Sequence, residues 1–104
     1  MDIESKRELN NILLRKYNGS SNKMYWFKQI MSCNFDFVSF VIKTYFPEYI
    51  GDENIYGIGI LGLMTSLEAY EMYQESSFEE FMMASIKNEI SNFLNEKNKA
   101  GKTK

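Results

Sequence analysis

The sequence predicts an all-α fold, a small bundle of four to five helices, on three observations. Apolar residues recur at spacings of three and four along most of the chain, which is the period of an amphipathic helix. Pro47 is the only proline, so long helices are permitted. The chain has 104 residues, of which 44% are hydrophobic and 15% aromatic. That composition is sufficient for one domain with one hydrophobic core.

The first three helices are expected in the N-terminal half. Residues 4–17 form the first, and the polar turn at residues 18–21 contains serines that can cap the second, residues 21–32. Asn34 is expected to cap a third helix, which ends at or just before Pro47. The apolar residues expected to face inward are Leu9, Ile12, Leu13, Met24, Phe27, Ile30, Met31, Phe37, Val38, Val41, Ile42 and Tyr45.

The C-terminal half is predicted to hold two further helices. A short loop leads into residues 54–74, which are expected to form the longest helix. Ser76 or Ser77 is expected to cap the last helix, which runs to about residue 95. Its inward stripe contains Phe78, Phe81, Ile86, Ile90 and Phe93.

The chain is assigned to one domain with a short tail. Residues 1–96 are expected to form the helical domain. Residues 97–104 are polar and basic and are predicted to be disordered.

Three glycines in the helix predicted at residues 54–74 need an explanation. Gly57, Gly59 and Gly62 each cost about 1 kcal/mol relative to alanine inside a helix. Close approach of another helix is the usual reason to keep them. Gly59 and Gly62 are three residues apart and share a face, so both are expected to contact a neighbouring helix. The three also match a G-x-G-x-x-G pattern, but no strand precedes it, so a dinucleotide site is not expected.

Composition excludes several classes of function. Cys33 is the only cysteine and histidine is absent, so an internal disulfide and the usual zinc sites are excluded. No apolar run approaches the length of a membrane span. The acidic pairs have no histidine or nucleophile beside them. We therefore expect a cytoplasmic protein without membrane association, cofactor or enzymatic activity.

Charge is distributed unevenly. Residues 1–50 carry seven Lys or Arg and five Asp or Glu, whereas residues 51–95 carry eight acids and one base, Lys87. Phosphate contacts supply most non-specific affinity for DNA. The acidic C-terminal half therefore predicts weak or absent binding to duplex DNA by the isolated domain.

Four motifs follow one another at unbroken spacing. Residues 54–70 read Asn-Ile-Tyr-Gly-Ile-Gly-Ile-Leu-Gly-Leu-Met-Thr-Ser-Leu-Glu-Ala-Tyr, and residues 78–82 read Phe-Glu-Glu-Phe-Met. Residues 86–94 read Ile-Lys-Asn-Glu-Ile-Ser-Asn-Phe-Leu. These three resemble regions 2.2 to 2.4 of bacterial sigma factors of the alternative type. Residues 34–38, Asn-Phe-Asp-Phe-Val, followed by Tyr45, resemble regions 1.2 and 2.1.

The resemblance covers about residues 9–96 and implies a sigma-factor region 2 domain. Such a domain binds the β′ clamp helices of core RNA polymerase and helps to recognise and melt the promoter −10 element. The positions implied to bind polymerase are Asn54, Gly57, Ile58 and Leu61. The positions implied to contact DNA are Tyr70, Glu71, Phe81 and Lys87. Phe78 lies at core spacing and is expected to be buried.

The sequence also departs from the family pattern. Asn54 and Gly57 stand where the family has an acid and a glutamine. The tandem aromatic residues of primary sigma factors are replaced by Ala84 and Ser85. The basic residues of region 2.4 are replaced by Ser91, Asn92 and Asn95. Much of the chemistry that would face DNA and polymerase is therefore weakened.

Two functions from different classes remain open. The first is a transcription-initiation module, part of a split or longer sigma factor, with a second chain able to supply the module that reads the −35 element. The second is a degenerate sigma-like module that binds a regulator, such as an anti-sigma factor, rather than DNA. Ile58 is either a core residue or part of a partner-binding patch. One or two of Tyr25, Trp26 and Phe27 are expected to be exposed or at an interface, because three adjacent aromatic residues cannot share one buried stripe.

Overall fold

The computed structural model describes residues 2–70 and 76–102, with side chains described as far as residue 98. These residues form four α-helices and one short 3-10 helix, and they contain no strand. The predicted all-α class is therefore confirmed. The elements are α1 (Ile3–Gly19), α2 (Lys23–Tyr45), the 3-10 helix (Pro47–Tyr49), α3 (Glu53–Ala69) and α4 (Phe78–Lys102). No helix within the described ranges has both the length and the apolar character that a bilayer crossing requires.

The chain divides into two units, which are described separately. The N-terminal unit comprises residues 1–35, and the C-terminal unit comprises residues 36–104. The N-terminal unit contains α1 and the first part of α2, and the C-terminal unit contains the rest of α2 with the 3-10 helix, α3 and α4.

Polar contacts lie at the centre of the N-terminal unit. The side chains of Asn10 and Asn34 are fully buried and donate to each other, at 3.0 and 2.8 Å. The Asn34 amide also donates to the Ile30 carbonyl at 2.7 Å, and the Lys6 ammonium donates to the Cys33 carbonyl. Buried amides need such partners because an unpaired polar group in the interior costs about 1–3 kcal/mol. The apolar residues buried in this unit are Leu13, Leu14, Ile30 and Met31.

Two expectations for this unit are wrong. Asn34 does not cap a third helix; it lies inside α2, which is continuous from Lys23 to Tyr45. Its side chain pairs with Asn10 and its own Ile30 carbonyl, so no helix boundary is needed to satisfy it. Ile12 and Met24, which were expected to face inward, are 47% and 62% exposed. Tyr25 is 50% exposed, as expected for this aromatic triplet.

The turn between α2 and α3 follows the sequence signals. α2 ends at Tyr45, and Pro47 begins the 3-10 helix, so the predicted end of the helix is confirmed. Gly51 has a φ of 86°, a conformation that residues with a Cβ rarely adopt. Asp52 caps α3, because its carboxylate accepts from the backbone N–H groups of Asn54 and Ile55 at 2.9 and 3.2 Å.

The lengths of the last two helices differ from the prediction. α3 ends at Ala69 and has 17 residues, so it is not the longest helix; residues 71–74 of the predicted helix lie outside the described residues. α4 has 25 residues and continues to Lys102. Residues 97–104 are predicted from the sequence to be a disordered tail, and the described part of that range, residues 97–102, belongs to α4. The Ser77 hydroxyl accepts from Glu80 N at 3.2 Å, which confirms the predicted serine cap.

The core of the C-terminal unit is apolar. α3 packs against α4, and the last part of α2 contributes to the same set of buried residues. The buried apolar side chains are Phe37, Val38, Val41, Ile42, Ile55, Leu63, Leu67, Phe78, Met82, Ile86 and Ile90.

Candidate functional site

The four residues predicted to bind polymerase lie on one face of α3. Asn54, Gly57, Ile58 and Leu61 are separated by three, one and three residues, so they form a stripe along a helix of 3.6 residues per turn. We call these four residues the α3 stripe. Asn54 and Gly57 are exposed, Ile58 is half-buried, and Leu61 is 45% exposed. Ile55, which directly follows Asn54, lies outside the α3 stripe and is buried in the core.

The buried glycines of α3, Gly59 and Gly62, lie on a different side of the helix from the α3 stripe. A Cβ on Gly59 would lie 2.6 Å from Val38 Cγ1, on α2, and 3.6 Å from the side chains of Ile86 and Ile90. A Cβ on Gly62 would lie 2.7 Å from Ile86 Cα, which belongs to the backbone of α4. Both glycines therefore contact neighbouring helices at short range, as predicted.

Gly57 differs from Gly59 and Gly62, because it has no close packing neighbour in the described part of the chain. A Cβ built on it would meet nothing within 4 Å, and the residue is exposed. Packing within the described residues therefore gives no reason for glycine at this position. Gly57 leaves a shallow gap in the α3 stripe between Asn54 and Leu61.

Two of the residues predicted to contact DNA lie together in an aromatic cluster. The ring centroid of Tyr70 is 5.1 Å from that of Phe78 and 5.5 Å from that of Phe81. Phe78 is buried, as expected, whereas Tyr70 and Phe81 are half-buried. The Tyr70 hydroxyl donates to the Ser76 carbonyl at 3.3 Å. Aromatic rings at these separations stabilise one another by about 0.5–1.5 kcal/mol beyond the burial of their surface.

The electrostatic environment of this cluster is acidic. Burial, followed by the charge of Glu79, raises the pKa of the Tyr70 phenol. Glu79 itself is buried, at 3% exposure. A carboxylate beside the ring disfavours the approach of phosphate groups, because like charges repel most strongly where solvent is excluded.

Lys87 does not share this cluster. Its Nζ lies 4.1 Å from the centre of the Tyr45 ring, in a cation–π contact. On α4, Lys87 is six residues after Phe81, which places it about 9 Å along the axis and about 120° around it. Glu71, the fourth residue predicted to contact DNA, lies outside the described residues.

A cavity near the start of α3 is a feature that the sequence did not indicate. It has a volume of about 620 Å³ and lies within the C-terminal unit. Its lining includes the apolar residues Ile42, Ile50 and Tyr56 and the charged residues Lys43, Asp52 and Glu53. The sequence marks this region only as a turn, and a turn by itself does not indicate a cavity. Among the described residues, no three His, Cys, Asp or Glu side chains are grouped to hold a metal ion.

Comparison with protein-family models, with curated proteins and with solved structures finds no match to this chain. A functional assignment therefore depends on the sequence motifs and on the surfaces described above.

Proposed function

We propose that this chain is a sigma-factor region 2-like module that binds core RNA polymerase through the α3 stripe. The observation that carries the proposal is that Asn54, Gly57, Ile58 and Leu61 share one accessible face of α3. These are the positions at which the resemblance implies contact with the β′ clamp helices. An accessible face with aliphatic side chains is a reasonable surface for a partner helix, since exposed apolar groups in a patch often mark interaction sites.

Docking here depends on apolar contact, because the polar groups of the family are replaced by Asn54 and Gly57. Full burial of an aliphatic side chain contributes about 1.5–3 kcal/mol. Ile58 and Leu61 are each already partly covered. Burying the rest of both side chains therefore contributes roughly as much free energy as full burial of one aliphatic side chain. Micromolar affinity requires about 8 kcal/mol. The interface must therefore extend beyond these two residues.

One exposed acid lies near each end of the α3 stripe. Glu53 lies one turn before Gly57, and Glu68 lies two turns after Leu61. Glu68 lies on the face of the α3 stripe and Glu53 lies about 90° from its centre, so both can reach a partner that lies along α3. A partner helix with basic residues at its ends fits this pattern, because complementary charge raises the association rate and sets the register.

Promoter DNA enters the proposal only within the polymerase complex. Tyr70 and Phe81 provide ring surface on which an unstacked base of the −10 element can pack. Glu79 beside Tyr70 and the eight acids of residues 51–95 oppose independent binding. In this proposal polymerase holds the DNA strand, and a second chain or further domain reads the −35 element.

The test is a pull-down of purified core RNA polymerase with the full chain and three variants. Ile58→Glu and Leu61→Glu each place a charge in the α3 stripe and are expected to reduce capture at least about tenfold, equivalent to about 1.4 kcal/mol. Ile12→Glu is the matched control, because Ile12 is a 47% exposed aliphatic residue on α1. Circular dichroism checks that each variant is folded.

The proposal fails if folded Ile58→Glu and Leu61→Glu still capture polymerase like the unmodified chain. It also fails if the unmodified chain does not bind polymerase. In that second case the alternative gains support: a sigma-like module that binds a regulator rather than DNA. The acidic charge of residues 51–95 and the position of Glu79 favour that alternative. The same variants then test the α3 stripe against the regulator.

A further inference from the structure

The N-terminal unit contains a long segment without acidic residues. Residues 9–35 carry four bases and no Asp or Glu, although 14 of the 104 residues of the chain are acidic. The segment includes the end of α1, the turn and the first part of α2. Its local charge is therefore opposite to that of residues 51–95.

Aromatic rings and lysines lie beside one another around this turn. The Nζ of Lys16 is 6.0 Å from the centre of the Trp26 ring, and the Nζ of Lys23 is 4.7 Å from that of Tyr17. Tyr25 packs edge-to-face on Trp26, with ring centroids 4.9 Å apart and an interplanar angle of 89°. We call the set Lys16, Tyr17, Lys23, Tyr25, Trp26 and Lys28 the turn surface.

The turn surface has accessible rings as well as accessible charge. Tyr25 is 50% exposed, and Trp26 is half-buried. Half of the Tyr25 surface is therefore available for stacking. Lys28 is exposed and lies three residues after Tyr25, on the same side of α2.

Local hydrogen bonds hold the turn in place. Lys23 Nζ donates to the Tyr17 carbonyl at 2.8 Å, and the Ser20 hydroxyl accepts from Asn22 N at 2.9 Å. The Asn22 side chain accepts from Tyr25 N at 3.4 Å. Rings and charges that are already positioned lose less conformational entropy when they bind a ligand.

We propose that the turn surface binds single-stranded nucleic acid. Phosphates of a single strand can pair with the lysines while unpaired bases stack on the rings between them. The aromatic rings favour a single strand over a duplex, because the bases of a duplex are already stacked on each other. The exposed large apolar residues of positions 16–28 are Met24 and Tyr25, and of these Met24 alone is aliphatic. A surface with so little exposed aliphatic area favours a nucleic acid over an anionic bilayer.

This inference does not rest on the proposed polymerase binding. It concerns residues of the N-terminal unit, whereas the α3 stripe and the Tyr70 cluster belong to the C-terminal unit. Either one can fail while the other holds.

The experiment uses Trp26, the only tryptophan of the chain, as a local reporter. The full chain is titrated with an oligodeoxythymidine of about 16 nucleotides, a length within the range that single-strand-binding domains cover. Stacking is expected to quench Trp26 fluorescence without a blue shift. Three phosphate contacts predict a slope of about −2 for log affinity against log salt between about 50 and 200 mM.

Variants locate the binding. Lys16→Ala/Lys28→Ala is expected to weaken binding about tenfold, and Tyr25→Ala at least about fivefold, the lower end for loss of one stacked base. Lys43→Ala/Lys97→Ala is the matched control, because it removes two exposed lysines outside the turn surface. Lys87→Ala separately tests the α4 residue that the sequence assigned to DNA contact.

Four results would overturn the inference. One is the absence of quenching by the oligonucleotide at low salt in a folded chain. Another is equal weakening by the control pair, which would show that overall charge alone matters. A loss confined to Lys87→Ala would move the contact to α4. A blue shift with anionic vesicles, without quenching by the oligonucleotide, would identify a membrane surface instead.

Discussion

The two units of this chain solve the same packing problem in different ways. The N-terminal unit brings α1 and α2 together around a fully buried pair of asparagines, each of which donates to the other. The C-terminal unit brings α3 to α4 by removing side chains, so that Gly62 lies against the backbone of Ile86. A polar pair specifies one alignment of two helices through hydrogen bonds. Glycines specify it through shape.

The two solutions should also fail differently. A hydrogen-bonded pair loses most when one partner is removed and the other is left buried without a bond. A glycine contact loses most when a side chain is added. The two units also differ in charge. Residues 9–35 of the N-terminal unit contain no acidic residue, whereas residues 51–95 of the C-terminal unit contain eight.

The largest effect is expected for Gly62→Leu. Even its Cβ would lie 2.7 Å from Ile86 Cα and 2.8 Å from the Ser85 carbonyl, so the backbone of α4 must move. The free energy of unfolding should fall by about 3 kcal/mol in urea denaturation. Gly57→Leu is the control, because a Cβ at that position would meet nothing within 4 Å; it should stabilise by about 0.5–1 kcal/mol through helix propensity. Equal unfolding midpoints for the two variants would contradict the shape argument.

The next effect is expected at the asparagine pair. Asn10→Leu or Asn34→Leu removes both hydrogen bonds between the two buried side chains and should lower the free energy of unfolding by about 2 kcal/mol. The double variant should lose clearly less than the sum of the two single variants, because each single variant already removes both hydrogen bonds of the pair. Urea denaturation of all four chains completes this double-mutant cycle. Strict additivity would mean that the two side chains do not act as a pair.

A smaller effect is expected at the start of α3. Asp52→Ala removes the carboxylate that accepts from Asn54 N and Ile55 N, and should cost about 1 kcal/mol. Asp52→Ser retains a capping oxygen and should remain close to the unmodified chain. Thermal unfolding of the three chains compares them. A loss in Asp52→Ser as large as in Asp52→Ala would point to the charge rather than the cap.

The smallest effect concerns the aromatic cluster of the C-terminal unit. Burial and the charge of Glu79 raise the pKa of Tyr70 above the usual tyrosine value of about 10. The folded state therefore favours the neutral phenol; this contribution is complete below pH about 10 and is lost as pH rises through the higher pKa of the folded state. Glu79→Gln should lower the pKa of Tyr70, while burial keeps it raised. A titration of carbon-13-labelled tyrosine by NMR, assigned with Tyr70→Phe, measures this; an unchanged pKa in Glu79→Gln would exclude the electrostatic contribution.

Local sequence signals predicted much of the fold and part of the candidate site. The helical period, the position of Pro47 and the capping serine at Ser77 all act within a few residues, so they can be recognised without the tertiary structure. The contacts of Gly59 and Gly62 were predictable for a related reason, since glycine in a helix has a cost that close packing explains. The shared face of the α3 stripe follows from its spacing alone.

Other features were decided by the tertiary structure. The sequence alone allowed Asn34 to be a cap, because asparagine is a good capping residue; only the presence of Asn10, 24 residues earlier, makes it a buried partner inside α2. Ile12 and Met24 fit an inward stripe by period, yet they are exposed, because the period of a helix does not say how wide its covered face is. The cluster of Tyr70, Phe78 and Phe81 likewise depends on how the end of α3 meets the start of α4. The sequence by itself therefore determined the helical class, the turn at Pro47 and the glycine contacts, each through short-range preferences. Which polar groups pair and which apolar groups stay exposed depended on residues distant in the chain, which only the packed helices bring together.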